Sequence, residues 1–155
     1  MHPRFNISKA APDLFNAVLQ LDSAVRKSDI NKEILHLVKV RASQINGCAY
    51  CVDMHIKESL SDGVDEQKLH LLATWRESPF FDASERAALE WTESVTLLAD
   101  TGIPDDAYDA LHDFFSEAQV AALTVAIGTI NLLNRMAVSS RLQHPITKRL
   151  AEPAA

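Results

Sequence analysis

Two cysteines, Cys48 and Cys51, with a histidine four positions after the second, His55, are the residues whose types and spacing most readily do chemistry. A helix beginning at or just before Cys48 carries the three at i, i+3 and i+7, on one face. Both thiols then sit in the first turn, where unpaired backbone N–H groups and the positive end of the helix dipole favour a thiolate. A CxxC pair at a helix start is a recurrent means of lowering a thiol pKa towards neutrality. An imidazole one turn beyond Cys51 can take a thiol proton, since its own pKa lies near neutral pH. The pattern points to a dithiol redox site with an acid–base partner. The same residues admit two other readings. Cys48, Cys51 and His55 could ligate zinc, with His36 as the fourth ligand, or the cysteines could be two small buried hydrophobes.

His36 and Ser43 lie seven residues apart on the preceding segment and share a helix face. If that face meets the CxxC helix, both point towards the thiols; otherwise they are an exposed polar pair. Asn131, Asn134 and Arg135 interrupt an otherwise apolar final segment and read as groups that cap loops or hold helices together. Trp75, Trp91, Phe114 and Phe115 read as core or subunit contacts.

The elements that must position these residues are helices. Pro12 opens a helix carried by Leu14, Phe15, Val18, Leu19, Leu21 and Val25. Asp29 is the expected N-cap of a second helix over residues 30–45, which Asn46-Gly47 stops. The CxxC helix follows and ends near Ser61-Asp62-Gly63. A further helix is expected from Asp65 to Arg76. Asp82-Ala83-Ser84-Glu85 has capping-box spacing and starts a helix that continues to Thr101-Gly102. Pro104 starts a short helix ending around Phe114-Phe115, and Ser116 to Gln119 form a second capping box for a helix running to about Arg141. The tail beyond Pro145 looks frayed. No segment alternates with period 2, so the expected fold is all-α.

With 155 residues, 47% hydrophobic and 23% charged, the chain suits one domain over residues 1–155 with a real core. A net charge of −6 with no dense basic block argues against nucleic acid or an anionic membrane surface as partner. The N-terminus lacks the apolar run of a signal peptide, and the apolar-rich stretch Val120 to Leu133 is too short to span a bilayer. A cytoplasmic location is expected, where an isolated cysteine pair is more often catalytic or metal-binding than a structural staple.

The stretch from His36 through Ser43, Cys48 and Cys51 to His55 resembles the carboxymuconolactone decarboxylase family, and within it the AhpD-like alkylhydroperoxidase branch. Looser similarity extends through residues 85–91 and 131–135. The family pattern is a glutamate, a serine seven positions later, then CxxC and the histidine. Ser43, Cys48, Cys51 and His55 match it, whereas His36 stands where the family has its proton-relay glutamate. The resemblance implies a compact multi-helix domain assembled as a homo-oligomer, commonly a trimer or hexamer. It also implies reduction of organic hydroperoxides without haem, flavin or metal, and it makes decarboxylation a poor expectation, because the decarboxylases lack the CxxC pair.

The expected catalytic set is Cys48, Cys51, His55 and His36. Cys51, nearer His55, would attack the peroxide, although the helix dipole alone favours Cys48. His55, helped by His36, would take the thiol proton, and Tyr50 and Ser43 would shape the site. The partners expected are an organic hydroperoxide and a dithiol or protein reductant. Outside this chemistry stand a general dithiol–disulfide oxidoreductase and a zinc-binding or purely structural helical oligomer.

Overall fold

The computed structural model describes residues 2–146. Its elements are α1 (Ile7–Ala10), α2 (Pro12–Arg26), α3 (Lys32–Ile45), α4 (Ala49–Ser61), α5 (Glu66–Leu71), a 3₁₀ turn (Leu72–Thr74), α6 (Ala83–Thr96), α7 (Leu98–Thr101), α8 (Asp105–Asp109) and α9 (Glu117–Ser140). Among the described residues there is no strand, so the fold is all-α.

Most boundaries follow local chemistry. Pro12 is the first residue of α2, where its missing N–H costs nothing. Both capping boxes form, Asp82 with Glu85 and Ser116 with Gln119. Five expectations are corrected. A single helical turn, α1, precedes α2 and is capped by Asn6. The second helix starts at Lys32 instead of Ile30, because Asn31, and not Asp29, accepts the N–H groups of Glu33 and Ile34. The segment from Asp65 keeps α geometry only to Leu71 and tightens into the 3₁₀ turn, with Asp65 as its cap. The segment after Asp82 breaks at Leu97, where Thr101 Oγ1 donates to the carbonyl of Ser94, and α8 ends at Asp109, short of Phe114. The tail expected to fray lies, from residue 147 onwards, outside the described residues.

α3 is the central element, packed against α4, α6 and α9. Every residue from Ile34 to Val40 is buried. One side joins Val25, Trp91, Leu111, Leu123 and Ile127 in one apolar cluster; the other joins Leu69, Leu72, Trp75, Phe81 and Leu89 in a second. A helix buried all round must give each of its polar side chains a partner. His36, Lys39 and Ser43 are those side chains, at i, i+3 and i+7.

The 24 residues of α9 are long and apolar enough, by length and composition alone, to cross a membrane, whereas the stretch from Val120 to Leu133 within it is too short to do so. Half of its apolar window is buried against the other helices, so α9 is packed here as a core helix. Its polar residues fasten the α3–α4 turn. Asn46 Nδ2 donates to Asn131 Oδ1 (2.7 Å) and Asn134 Oδ1 (2.9 Å), and Asn134 Nδ2 donates to Ser43 Oγ (3.0 Å).

Candidate active site

Gly47, at φ +64°, turns the chain sharply between α3 and α4, and an L side chain there would be strained. Cys48 follows as the N-cap of α4, and its Sγ accepts the backbone N–H of Cys51 at 3.3 Å. Cys48 and Cys51 are joined as a disulfide, with their Cα atoms 5.3 Å apart. Both are buried, at 1% and 3% exposure.

His55 lies one turn further on and is 1% exposed. Its Nδ1 is 2.9 Å from Glu58 Oε2. Its Nε2 is buried with no hydrogen-bond partner among the described residues. Burial, which disfavours the imidazolium, holds the His55 pKa below its ordinary value, and the Glu58 carboxylate opposes this only in part. Glu58 is itself held below the usual carboxylate range: burial would raise it, but the hydrogen bond from His55 and the charge of Arg26 outweigh burial. A neutral imidazole facing an ionised carboxylate through Nδ1 must carry its proton on Nδ1. Nε2 is then a free base.

These groups border a cavity of about 660 Å³. Cys51, Tyr50, Met54 and His55 form one wall; Phe15 and Leu19 of α2 and Met136 of α9 face them. The N-terminal arm, residues 3–8, forms another wall. It is tied down by Arg4, whose N–H donates to the carbonyl of Ser140 (2.9 Å) and whose guanidinium donates to that of Ser139 (3.3 Å). Cys51 borders this cavity and Cys48 does not.

The structure thus brings Cys48, Cys51 and His55 together at the head of α4. His36 it places elsewhere. Its Nε2 is 2.7 Å from Asp62 Oδ2 at the far end of α4, beside a small separate cavity bordered by Lys32, Lys39 and Arg26. Lys32 completes that pair, at 2.9 Å from Asp62 Oδ1. The four-ligand set considered for zinc is therefore not assembled, and among the described residues no other group of three His, Cys, Asp or Glu converges to hold a metal ion. Ser43 does not reach the thiols through its side chain either: its Oγ donates to the carbonyl of Lys39 (2.7 Å) and accepts from Asn134, while its carbonyl accepts the N–H of Cys48.

Sequence reasoning missed the acidic and basic residues behind His55. Arg26 Nη2 lies 3.2 Å from Glu58 Oε2, Arg26 Nε donates to Asp22 Oδ2 at 2.7 Å, and Lys39 Nζ donates to Asp22 Oδ1 at 2.5 Å. The signals that could have found them were a glutamate three residues after His55 and a lysine on the His36–Ser43 face.

A family model described as carboxymuconolactone decarboxylase family matches residues 12–94. The uncharacterized protein YdfG of Bacillus subtilis (strain 168) is 33% identical over 139 residues, covering 90% of this chain and 95% of YdfG. Among solved structures, a protein of unknown function from Agrobacterium tumefaciens, ATU0492, is 50% identical with a TM-score of 0.91, covering 94% of this chain and 99% of its own; its suggested identity is the antioxidant defence protein AhpD. The debrominase Bmp8 shares the fold at 22% identity and a TM-score of 0.80, over 88% of this chain and 74% of its own. Helices, thiol pair and relatives agree: the chain belongs to the carboxymuconolactone decarboxylase family, among its AhpD-like proteins.

Proposed function

We propose that the protein is a thiol-dependent peroxidase that reduces organic hydroperoxides in antioxidant defence in the cytoplasm. The observation that carries this reading is a CxxC disulfide at a helix head whose second sulfur borders an apolar cavity, beside a histidine with a free basic nitrogen. The likeness to the Agrobacterium protein supports it.

In the reduced protein His55 Nε2 takes the proton of the Cys51 thiol. The Cys51 thiolate attacks the terminal peroxide oxygen and the O–O bond breaks. The departing alkoxide receives the proton from His55 and leaves as the alcohol, with Cys51 as a sulfenic acid. The Cys48 thiol then attacks that sulfur; water leaves and the disulfide forms. A dithiol reductant restores both thiols by exchange, becoming a disulfide itself. The scheme uses no haem, flavin or metal. Bordering the cavity favours Cys51 as the attacking thiol over Cys48, whose place at the helix N-cap would otherwise favour it.

The test is turnover of an alkyl hydroperoxide by metal-free protein with a dithiol reductant. Loss of turnover in both Cys48→Ser and Cys51→Ser is expected. In Cys48→Ser, one equivalent of peroxide should leave a sulfenic acid on Cys51, read by trapping and mass spectrometry. Turnover of peroxide by both serine variants at the wild-type rate would overturn the proposal. Wild type that exchanges disulfides but leaves peroxide untouched would favour the general oxidoreductase.

A further inference from the structure

His36 occupies the position of the family's relay glutamate but is bonded to Asp62, seven residues and about two helical turns beyond His55 along α4. The carboxylate that does meet His55 comes from its own helix. We propose that Glu58, clamped by Arg26 of α2, is the positioning residue of the thiol site: it fixes the Nδ1–H of His55 and so reserves Nε2 for the Cys51 proton. This assigns to Glu58 a task that the family pattern gives to residue 36, and it rests on the peroxidase reading only for its kinetic consequence.

Four observations carry it. The His55 ring is enclosed, and its orientation is set by a single hydrogen bond, through Nδ1 to Glu58. A His–Glu pair three residues apart on an exposed helix face would be worth little; here the ring is removed from water, which makes the bond both stronger and costlier to lose. Glu58 in turn is held by Arg26 through both carboxylate oxygens, at 3.3 and 3.2 Å. Arg26 is oriented by Asp22, and Asp22 by the buried Lys39 of α3. The chain His55–Glu58–Arg26–Asp22–Lys39 thus alternates in capacity to donate and accept, and every link in it joins different turns or helices. Finally, the atom left without a partner is Nε2, the one the mechanism needs vacant. In the oxidised state no thiol proton exists to satisfy it.

The charged groups around His55 are Glu58 on α4, Asp22 and Arg26 on α2 and Lys39 on α3, with Arg4 of the N-terminal arm across the cavity; α9 brings only Leu133, Met136, Ala137 and Ser140 to it. Glu58 is the only one of them in hydrogen-bond contact with the ring. Its removal should therefore change which ring nitrogen is protonated, and removal of a charge elsewhere should not.

The experiment follows the His55 imidazole by ¹⁵N NMR across pH in the reduced protein, for wild type, Glu58→Ala, Glu58→Gln and His36→Gln. Wild type should show the neutral Nδ1–H form. Glu58→Ala should lose that preference and titrate at lower pH. Glu58→Gln, which keeps an acceptor without its charge, should recover the Nδ1–H form but not the wild-type midpoint. His36→Gln should leave both as in wild type. Single-turnover oxidation by peroxide should slow roughly 10- to 100-fold in Glu58→Ala, the usual scale for a group that orients a reacting one. A Glu58→Ala spectrum matching wild type, or a change of tautomer in His36→Gln, would overturn the proposal. If Glu58→Ala does not fold, Glu58→Gln decides alone: a midpoint below that of wild type with the Nδ1–H form retained is expected, and a midpoint equal to wild type would overturn the idea. Should wild type turn over no peroxide, the NMR result still decides on Glu58 while the peroxidase reading fails.

Discussion

At His55 burial and charge act in opposite directions, and burial wins. The sign of the consequence follows from linkage. Because the folded pKa lies below the ordinary 6.5, the unfolded chain takes up a proton near that pH which the folded chain refuses. Stability is therefore retained above about pH 6.5 and falls as the pH drops below it. Glu58 and Asp22, both held below their ordinary carboxylate values, extend the loss to lower pH, since the unfolded chain protonates them first. Urea midpoints should hold from pH 7.5 to about pH 6.5 and fall from there to pH 5, and His55→Gln should flatten the upper part of that slope. A midpoint that stays level across the range in wild type would contradict the assignment of a buried neutral imidazole. The cysteines and His55 were legible because their relation is local: three residues on one helix, set by its 3.6-residue repeat. Glu58 was equally local, yet nothing in the sequence separates a buried His–Glu pair from the many exposed ones; the difference is made by Arg26, 32 residues away. His36 was misleading for the converse reason, since the face it shares with Ser43 does meet α4, but at the level of Asp62.

At the scale of elements, the position of the CxxC turn depends on asparagines far from it in sequence. Asn134 is fully buried and bridges Asn46, in the turn, to Ser43 on α3. Asn134→Ala would strand an amide N–H and a hydroxyl lone pair away from water, at a cost of about 1–3 kcal/mol. Chemical denaturation of the disulfide-bonded protein should show that loss; a change under about 0.5 kcal/mol, the ordinary range for a surface substitution, would show the bridge to be dispensable. The sequence announced most helices through capping boxes, Pro12 and Gly47, where one residue type has one physical reason to be present. It did not announce the break at Leu97, where no Gly or Pro stands and the competing bond from Thr101 arises only once the chain has turned. The cavity was equally invisible, because its walls come from residues 3–8, α2, α4 and the end of α9.

At the scale of the molecule, α9 has two faces. Ala121, Val125, Gly128, Leu132, Arg135 and Ser139 are all exposed and follow one another at alternating intervals of four and three. That is the spacing of a seam between paired helices, and its small residues allow close approach. A homo-oligomer packed through this stripe is the assembly we expect, with Leu132→Glu reducing its mass in sedimentation or light scattering. A monomeric wild type, or an oligomer that Leu132→Glu leaves intact, would direct attention away from α9. The N-terminal arm has a different consequence. Since it lines the cavity and is tied to the last turn of α9 by the bonds of Arg4, on the proposed dithiol chemistry it would stand as a latch on access to Cys51. Each 1.4 kcal/mol of anchoring lowers tenfold the fraction of molecules standing open at any instant. A slender reductant able to thread the cavity is indifferent to that fraction, whereas a bulky one must wait for it. On the proposed dithiol chemistry the arm would thereby sort electron donors by girth.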